Sequence, residues 1–390
     1  MLLNSFHFFR HFIPSLFLAV VILFSLPAIA DELRFVYPND PYFALQENLY
    51  NWAQYGGKPN SDVYAPFAWP YRTSCRSVKI GIIDSGFDFK HPDLFANFGF
   101  NYAESLSFPD GIDNDDNGYI DDYLGWNFFS GNRDAVDDYG HGTVVAGLIG
   151  AVGNNSIGIT GICWDAHLIP LKVYDLKYAI ARPGVPAPYS ALVLAIDYAI
   201  ASKIDLLHIS IGMIENPEEN LKGIGDLDAA IERANVAGIA IVIPAGNSAD
   251  GDMNLETFTL KKLIPQQLQH SNLIKVAATD NQDQLSKFSM YGPNTVQIAA
   301  PGVAVLSTIP LDSDFLQDTT GQLPRGYNRF TGTSLAAPLV TGAVALLLSQ
   351  SPGLTPDQII RRLIASSDRL PALEGKTKGG RLNVWRLLNE

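Results

Sequence analysis

From about residue 79 onward, short apolar runs rich in β-branched residues alternate with segments of helical periodicity. Strands are predicted at residues 78–83, 168–173, 204–211, 239–243 and 272–278, and helices at residues 141–152, 191–201, 227–236, 333–349 and 355–365. Strands that are apolar along their whole length are typical of a parallel sheet covered on both faces by helices. The sequence therefore predicts an α/β fold with a doubly wound, mainly parallel sheet, in which ligands bind beyond the carboxyl ends of the strands.

The first 30 residues differ from the rest of the chain. Arg10 is their only formally charged side chain, residues 13–26 are almost entirely apolar, and Ala28 and Ala30 occupy the positions that a signal peptidase reads. About 14 apolar residues are too few to cross a bilayer, so we interpret residues 1–30 as a secretory signal peptide. An uncleaved membrane anchor is the alternative. We expect residues 31–390 to form one exported domain, secreted or periplasmic, with no membrane span after signal cleavage.

Charge and cysteine content limit the partners and the compartment of this chain. Its 390 residues carry a formal net charge of −13, and loss of Arg10 with the signal peptide makes the charge more negative. A strongly acidic protein repels the phosphate backbone, so we expect no binding to nucleic acid. The same charge favours the binding of cations. Cys75 and Cys163 are the only cysteines, and an oxidising compartment would allow them to pair.

Ser334 and His141 lie in settings that favour catalysis. Ser334 stands near the start of a predicted helix, in the run Gly-Thr-Ser-Leu-Ala-Ala-Pro of residues 332–338. An N-cap is the ordinary role of such a serine, but a helix N-terminus also offers backbone N–H groups and positive charge to an oxyanion. His141 stands between two glycines before a run of small residues, which is the setting of an exposed, positioned base.

Asp84 and Asn247 each follow a predicted strand. Asp84 begins an Asp-Ser-Gly triplet, which also occurs in aspartic proteases, but a single-chain aspartic protease needs two such triplets and this chain has one. Asn247 could cap a turn, or its amide could donate to an oxyanion. Amide hydrolysis by a serine needs a hydroxyl, a base, a carboxylate and oxyanion donors, and the chain offers each of them. Their order, Asp then His then Ser, differs from that of chymotrypsin-like enzymes and α/β-hydrolases.

With these residues in place, the chain resembles the subtilase family of serine proteases, close to bacterial subtilisins and thermitase-like members. The resemblance runs from about residue 39 to the C-terminal helix. Its motifs are residues 39–43, 82–86, 91–94, 141–147, 154–158, 210–212, 245–247, 300–302 and 332–338. The resemblance implies that Asp84, His141 and Ser334 form a catalytic triad and that Asn247 supplies the oxyanion-hole amide.

The resemblance also implies how a protein or peptide substrate binds. The strand at residues 210–212 would pair with a substrate backbone in extended conformation. The implied substrate-binding residues are Ser210, Ile211, Gly212, Met213, Ala245 and Gly246. Met213 stands where a glycine is common, so we expect it to narrow the pocket for the substrate's P1 side chain. We expect a monomeric endopeptidase of broad specificity; a processing protease with one partner and a catalytically dead, calcium-stabilised binding module are the alternatives.

An acidic run at residues 113–122 places side-chain oxygens at alternate positions before a glycine. This pattern resembles the first half of an EF-hand loop, although the closing glutamate is absent. A solvated acidic loop is the alternative, but unpaired acids in one cluster repel each other, which favours a bound Ca²⁺. The expected ligands are Asp113, Asp115, Asn117, the carbonyl of Tyr119, and Asp121 or Asp122.

A second calcium site and a disulfide follow from the family resemblance. The implied ligands of the second site are Asp40, Asp93 and Asn155, with the carbonyl groups of Gly153, Ile157 and Ile159. Cys75 and Cys163 each precede a strand, and in this fold those two strands are parallel neighbours. We therefore expect a disulfide between Cys75 and Cys163.

Three features depart from the family pattern. The motif at residues 39–43 begins shortly after the signal peptide, which leaves no room for an inhibitory prodomain, so residues 31–77 are predicted to be an N-terminal extension that wraps the core. Leu335 replaces a methionine that is often found after the nucleophile, so we expect resistance to peroxide. His208 replaces the usual asparagine in its strand, and nothing in the sequence indicates what this change does.

Overall fold

Seven parallel strands form the central sheet of the computed structural model, which describes residues 34–104, 109–176, 188–211, 213–215, 221–248, 253–257 and 262–389. The strands of these residues are β1 (Ile80–Asp84), β2 (Trp126–Asn127), β3 (Leu168–Lys172), β4 (Leu206–Ile209), β5 (Met213–Glu215), β6 (Ala240–Pro244), β7 (Lys262–Ile264), β8 (Leu273–Thr279), β9 (Ile298–Pro301), β10 (Val305–Thr308) and β11 (Tyr327–Phe330). The central sheet has the order β2-β3-β1-β4-β6-β8-β9, and each neighbouring pair is parallel. Two antiparallel pairs, β5 with β7 and β10 with β11, lie outside it.

Helices cover both faces of this sheet. They are α1 (Ala65–Ala68), α2 (His141–Gly150), α3 (Tyr189–Ala201), α4 (Leu221–Val236), α5 (Thr333–Gln350), α6 (Pro356–Ser366) and α7 (Val384–Asn389), with 3₁₀ turns at Phe43–Leu45, Phe95–Asn97, Asp314–Leu316 and Pro371–Leu373. Ile82 of β1 packs in one core with α2 and α5, whereas the next residue, Ile83, packs in a second core with α3 and α4. Successive side chains of a strand point to opposite faces, so the sheet is buried on both sides and the predicted doubly wound α/β fold is confirmed.

Each strand and helix predicted from the apolar pattern is present within the described residues, although several ends differ. The largest difference is at α4, which begins at Leu221 and not at residue 227. Gly223 and Gly225 lower the helix propensity of its first turns, which hides the start from a pattern search. Strands β2, β5, β7 and β9 to β11 are not predicted by the sequence, because each has only two to four residues, too few for a periodicity to be detected.

The predicted disulfide between Cys75 and Cys163 is present and buried. The two residues lie 88 positions apart in sequence and 6.0 Å apart between Cα atoms, just before the parallel neighbours β1 and β3. Closing a loop of this length stabilises the folded chain by about 4.6 kcal/mol if the disulfide acts on the entropy of the unfolded state.

Phe35–Glu390 forms one compact unit, in which the segment before β1 buries Phe43 and Trp69 in the core. The signal peptide predicted at residues 1–30 lies outside the described residues and stays a prediction. By length and hydropathy, α5 is the one helix of the described part that could cross a membrane, but 78% of its apolar window is buried in the core.

Candidate active site

Asp84 and His141 meet at the carboxyl edge of the sheet, by which we mean the C-terminal ends of β1, β4, β6 and β9 together with the N-termini of α2 and α5. Asp84 ends β1 and is completely buried, whereas His141 opens α2 and keeps 26% of its side chain exposed. His141 Nδ1 lies 2.8 Å from Asp84 Oδ2 and 3.0 Å from Asp84 Oδ1. A carboxylate accepts hydrogen bonds, so the ring donates from Nδ1 and leaves Nε2 free to accept a proton. This is the geometry of a base oriented by a carboxylate.

Opposing effects act on the pKa of His141. Burial lowers the pKa, whereas the charge of Asp84, the hydrogen bond with Asp84 and the charge of Asp137 raise it. The net result is a pKa above the usual value for histidine. The ring therefore binds a proton more strongly than an isolated imidazole.

Two glycines allow the end of β1 and the start of α2 to approach this closely. Gly86 has a φ of +105°, and a Cβ on it would collide with the carbonyl oxygen of Ala135. A Cβ on Gly142 would collide with the carbonyl oxygen of Gly86 and lie 3.3 Å from Asp84 Cβ. No larger residue fits at either position without a shift of the backbone, so the two glycines keep acid and base within hydrogen-bonding distance.

Ser334 and Asn247 border the same small volume. Ser334 is half-buried in the first turn of α5, and Asn247 is exposed after the end of β6. A Cβ built on Gly332 would lie 3.2 Å from Ser334 Oγ and 3.6 Å from Asn247 Nδ2. Because Gly332 has no Cβ, this volume stays open at the N-terminus of a helix, where the first N–H groups have no partner within the helix.

Thr333 fixes the direction of the Asn247 amide. Asn247 Oδ1 accepts from the Thr333 N–H at 3.0 Å and from the Thr333 hydroxyl at 3.1 Å. A backbone N–H can only donate, so the amide oxygen faces Thr333 and Nδ2 is left for the volume beside Ser334. The Thr333 hydroxyl in turn accepts from the Gly246 N–H at 3.2 Å. Sequence reasoning missed this role of Thr333, although the residue lies within the run 332–338.

The end of β9 supports the turn before Ser334. The Gly332 N–H donates to the carbonyl of Gly302, and the Gly302 N–H donates to the carbonyl of Thr279, both at 2.9 Å. The described residues contain no hydrogen bond between His141 and Ser334. Such a contact is often long without substrate and shortens in the enzyme–substrate complex.

His208 lies beneath the carboxyl edge, between the sheet and α5. It is completely buried on β4, in register with Ile82, and its Nδ1 lies 2.8 Å from Thr341 Oγ1. Its Nε2 has no hydrogen-bond partner among the described residues. Burial lowers the pKa of His208 to about 3, and the charge of Asp84 opposes this only in part. The ring is therefore neutral at physiological pH.

The predicted substrate-binding residues flank the carboxyl edge. Ser210 and Ile211 continue from the end of β4, and the carbonyl of Ile211 accepts from Nε2 of the buried Gln266 at 3.2 Å. Gly212 and the side chain of Met213 lie outside the described residues, so the narrowing of the P1 pocket stays a prediction.

Ala245 and Gly246 lead from β6 to Asn247. Ala245 is completely buried, and Gly246 has a φ of +108°. A Cβ on Gly246 would collide with the side chain of Leu263 and lie 3.0 Å from Met290 Sδ. Only glycine fits here, which holds the backbone before Asn247 against Leu263 and Met290.

The acidic loop, residues 109–122, brings two of its carboxylates to Glu104. Carboxylate oxygens of Glu104, Asp115 and Asp122 lie within 4.8 Å of one another, and Glu104 and Asp122 are buried. Burial raises the pKa of both, and the nearby charge of Asp115 raises them further. Three carboxylates at this spacing repel each other unless a proton or a cation neutralises them. Glu104 was not identified from the sequence, because it precedes the alternating run and carries no pattern of its own.

Two of the predicted loop ligands lie next to this cluster. Asn117 Nδ2 donates to Asp122 Oδ2 at 2.9 Å, and Asn117 Oδ1 accepts from the Tyr119 N–H at 2.8 Å. The Asp122 carboxylate also accepts from the Tyr198 hydroxyl at 2.7 Å. Asn117 therefore sits within reach of the carboxylates, and Tyr119 follows it in the same turn.

Two other predicted ligands have different partners. Asp113 accepts from two backbone N–H groups of its own turn, those of Asn117 at 3.1 Å and Gly118 at 2.7 Å. Asp121 forms an ion pair with Arg133, with 2.9 Å between Asp121 Oδ2 and Arg133 Nη1. Asp113 and Asp121 are not members of the cluster of three.

Asp40, Asp93 and Asn155 also lie together. Asn155 donates from Nδ2 to Asp93 Oδ1 at 2.9 Å and from its backbone N–H to Asp40 Oδ1 at 3.3 Å. Burial raises the pKa of Asp93 to about 7, and the charge of Asp40 adds to this rise. The carbonyl groups that the resemblance adds to this set, those of Gly153, Ile157 and Ile159, belong to the loop after α2.

Comparisons with known proteins identify a family. The family model described as Subtilase family matches residues 76–384. The chain is 32% identical over 324 residues to Subtilisin-like protease 1 of Plasmodium vivax, which covers 80% of this chain and 47% of that protein. It is 28% identical over 349 residues to Thermitase of Thermoactinomyces vulgaris, which covers 90% and 98%. The chain thus spans about half the length of the Plasmodium protease and nearly all of the thermitase.

Solved structures agree on the fold. A lanthipeptide protease matches with a TM-score of 0.66 at 23% identity, covering 84% of this chain and 92% of that one. A protease from Pseudoalteromonas arctica PAMC 21717 matches with a TM-score of 0.60 at 24% identity, covering 91% and 99%. At less than 25% identity, this likeness shows the fold. It does not show the role of any single residue.

Proposed function

The chain belongs to the subtilase family, and we propose that it is a subtilisin-like serine endopeptidase with Asp84, His141 and Ser334 as its catalytic triad. The observation that carries this proposal is the 2.8 Å hydrogen bond between His141 Nδ1 and the buried Asp84 carboxylate. Ser334 and Asn247 border one open volume at the same edge of the sheet, which supports a nucleophile with an adjacent oxyanion donor.

In the proposed mechanism, His141 Nε2 takes the proton of the Ser334 hydroxyl as the oxygen attacks a peptide carbonyl. Asp84 keeps Nδ1–H directed toward its carboxylate and stabilises the imidazolium that forms. The imidazolium then gives its proton to the leaving amine, and the acyl group remains on Ser334. Water, deprotonated by His141 in the same way, releases the acyl group.

Asn247 Nδ2 and the Ser334 backbone N–H are the proposed donors to the oxyanion. Thr333 already holds the oxygen of the Asn247 amide, so the amide does not have to rotate when charge develops on the carbonyl. Donors that are fixed before the reaction stabilise the transition state without a reorganisation energy.

The proposed substrates are proteins or peptides in extended conformation. The strand at residues 210–212 would add the substrate backbone as a further strand, which is tolerant of sequence because main-chain groups make the hydrogen bonds. We infer a monomer that acts outside the cytoplasm, and the apolar stretch at residues 13–26 supports export.

Calcium is the proposed structural cofactor, at two sites. In the acidic loop, the three carboxylates of Glu104, Asp115 and Asp122 supply the hard oxygen ligands that Ca²⁺ prefers, and burial of two of them disfavours charge without a cation. Asp40, Asp93 and Asn155 would hold the second ion. A bound Ca²⁺ would neutralise these carboxylates and stabilise the folded loops; it takes no part in peptide hydrolysis.

Labelling with a fluorophosphonate probe tests the nucleophile. The calcium-loaded chain should react once and should hydrolyse casein, whereas Ser334→Ala should lose both activities while keeping its melting temperature. Ser349→Ala is a matched control on the same helix, because Ser349 only donates to the backbone. A folded, calcium-loaded chain that neither labels nor cleaves casein would contradict the proposal. Cleavage of one protein but not of casein would favour a processing protease.

A further inference from the structure

Asp137 is a buried carboxylate that binds both the residue after Asp84 and residues on either side of His141. It lies in the loop before α2, and only 6% of it is exposed. It accepts five hydrogen bonds, from the hydroxyl of Ser85 at 2.8 Å, the N–H groups of Tyr139 at 3.1 Å, Gly140 at 2.6 Å and Thr143 at 2.9 Å, and the hydroxyl of Thr143 at 2.6 Å. Each of these partners donates, so the cluster is arranged around a charged acceptor.

Each of the two hydroxyls that donate to Asp137 also accepts a hydrogen bond from a further backbone N–H group. The Ser85 oxygen accepts from the Gly142 N–H at 2.9 Å, and the Thr143 hydroxyl oxygen accepts from the Asp88 N–H at 3.0 Å. The Ser85 N–H donates to Asp84 Oδ1 at 2.8 Å. All donation in the cluster therefore runs from the residues around Asp84 and His141 toward a carboxylate.

The cluster fixes the backbone on both sides of His141. Residues 139, 140 and 143 bind Asp137 directly, and Gly142 binds it through Ser85. Gly140 precedes α2 and has no side chain to cap the helix. Asp137 supplies that cap, and its negative charge lies at the positive end of the helix dipole. The same carboxylate thus joins the start of α2 to the end of β1.

We propose that Asp137 is a positioning residue of the peptidase reaction: through Ser85 and the first turn of α2 it holds His141 in the orientation set by Asp84, without contact with substrate. This inference rests on the proposed function, because it assigns Asp137 a role only in a reaction that uses His141 as the base. A displacement of a catalytic group by about 1 Å is enough to cost on the order of 100-fold in rate.

The charge of Asp137 also bears on the protonation of His141. Four titratable groups face His141 or its partner: Asp84 at the end of β1, Asp137 in the loop before α2, the Tyr174 hydroxyl at 3.5 Å from Asp84 Oδ1, and the neutral His208 on β4. Among them, Asp84 and Asp137 raise the pKa of His141. Removal of the charge of Asp137 should therefore lower that pKa and extend activity to more acidic pH.

The test compares Asp137→Asn with Asp138→Asn. Asparagine keeps the size of residue 137, but in either orientation its NH₂ group must face at least one backbone N–H group, which can only donate. Asp138→Asn removes an equal charge one residue away. The half-exposed carboxylate of Asp138 binds Lys172 Nζ at 2.9 Å. Titration with a fluorophosphonate gives the number of competent sites, so that kcat can be expressed per site and separated from loss of folded protein.

For Asp137→Asn we expect kcat per titrated site to fall about 10- to 100-fold, with KM within about twofold. The acid limb of the kcat/KM profile should move to lower pH in Asp137→Asn and stay in place in Asp138→Asn. An Asp137→Asn enzyme with wild-type kcat per site and an unmoved acid limb would overturn the inference, as would the same shift in Asp138→Asn. An inactive wild-type chain would instead contradict the proposed function.

A second pair of variants, at Thr143, leaves the buried charge of Asp137 in place. Its result therefore does not depend on whether the fold tolerates the loss of that charge. Thr143→Val removes the hydroxyl that donates to Asp137 and accepts from Asp88, whereas Thr143→Ser keeps it. We expect kcat per site to fall in Thr143→Val and to return toward the wild-type value in Thr143→Ser. Equal kcat per site in the two variants would contradict the positioning role.

Discussion

The carboxyl edge and the acidic loop both contain buried carboxylates, but they balance the negative charge in different ways. At the carboxyl edge, Asp84 and Asp137 are surrounded by protein donors, namely an imidazole, hydroxyls and backbone N–H groups. At the acidic loop, Glu104, Asp115 and Asp122 also accept hydrogen bonds from protein donors, but their carboxylate oxygens lie within 4.8 Å of one another.

The two regions therefore differ in how closely they bring negative charges together. The donors at the carboxyl edge satisfy the carboxylates and fix their direction, as a site for chemistry requires. The acidic loop leaves like charges side by side, so it needs a proton or a cation from solution. Acid and single side-chain changes should therefore affect the carboxyl edge, whereas chelators should affect the acidic loop.

The largest expected effect is the acid sensitivity of the core under the carboxyl edge. His208 has a pKa of about 3 in the folded chain but about 6.5 when unfolded, so below pH 6.5 the unfolded chain binds a proton that the folded chain does not. This costs roughly 5 kcal/mol of unfolding free energy by pH 3, and nothing above pH 6.5. In denaturant titrations, the free energy of unfolding of His208→Asn should fall less between pH 8 and pH 4 than that of the wild type. Parallel losses in both proteins would refute this assignment.

The next largest effect concerns the oxyanion donor. Asn247→Ala should lower kcat about 100- to 1,000-fold with little change in KM, a magnitude known from a subtilisin. Thr333→Val leaves the Thr333 N–H in place and removes one neutral hydrogen bond to the amide, so a loss of at most about 10-fold is expected. Steady-state kinetics per titrated active site measures both. A Thr333→Val enzyme as slow as Asn247→Ala would mean that the hydroxyl alone orients the amide.

Chelation should act on the acidic loop and leave the pairing of Asp84 with His141 intact. Free calcium at 100 times its dissociation constant stabilises the folded chain by about 2.7 kcal/mol for one site, so EDTA should lower the melting temperature. Asp122→Asn should reduce the calcium-dependent part of this shift. Asp121→Asn should preserve it, because Asp121 pairs with Arg133. A melting temperature that EDTA leaves unchanged would contradict both proposed calcium sites.

The smallest expected effect is on oxidation at the carboxyl edge. Leu335 follows Ser334 and is buried, so peroxide finds no thioether at this position. Activity should survive a peroxide treatment that inactivates Leu335→Met, because oxidation of methionine adds a polar oxygen beside the nucleophile. Residual casein hydrolysis after treatment measures the difference. Rapid inactivation of the wild type would show that another residue limits the resistance.

Much of the fold and of the candidate site could be predicted because the signals are local. Continuous apolar runs predicted the parallel sheet. Asp84, His141 and Ser334 each stand in a short run whose small residues reflect close packing. The disulfide followed once the two strands after Cys75 and Cys163 were taken as neighbours.

The acidic loop shows what the spacing of residues along the chain leaves open. The alternating acids identified the region, but the choice among them depends on contacts that the spacing does not encode. Arg133 attracts Asp121, and Glu104 approaches from outside the run. Asp137 escaped notice for the same reason, since its partners lie just after β1 and around the start of α2.

The sequence by itself determined the sheet, the order of the candidate triad and the presence of an acidic loop. Each of these features follows from residues that are close together along the chain. Only the tertiary structure decided which donors each carboxylate faces and which carboxylates lie close together. Hydrogen bonds and charge repulsion act over a few ångströms in space, so their partners are fixed when distant segments come together.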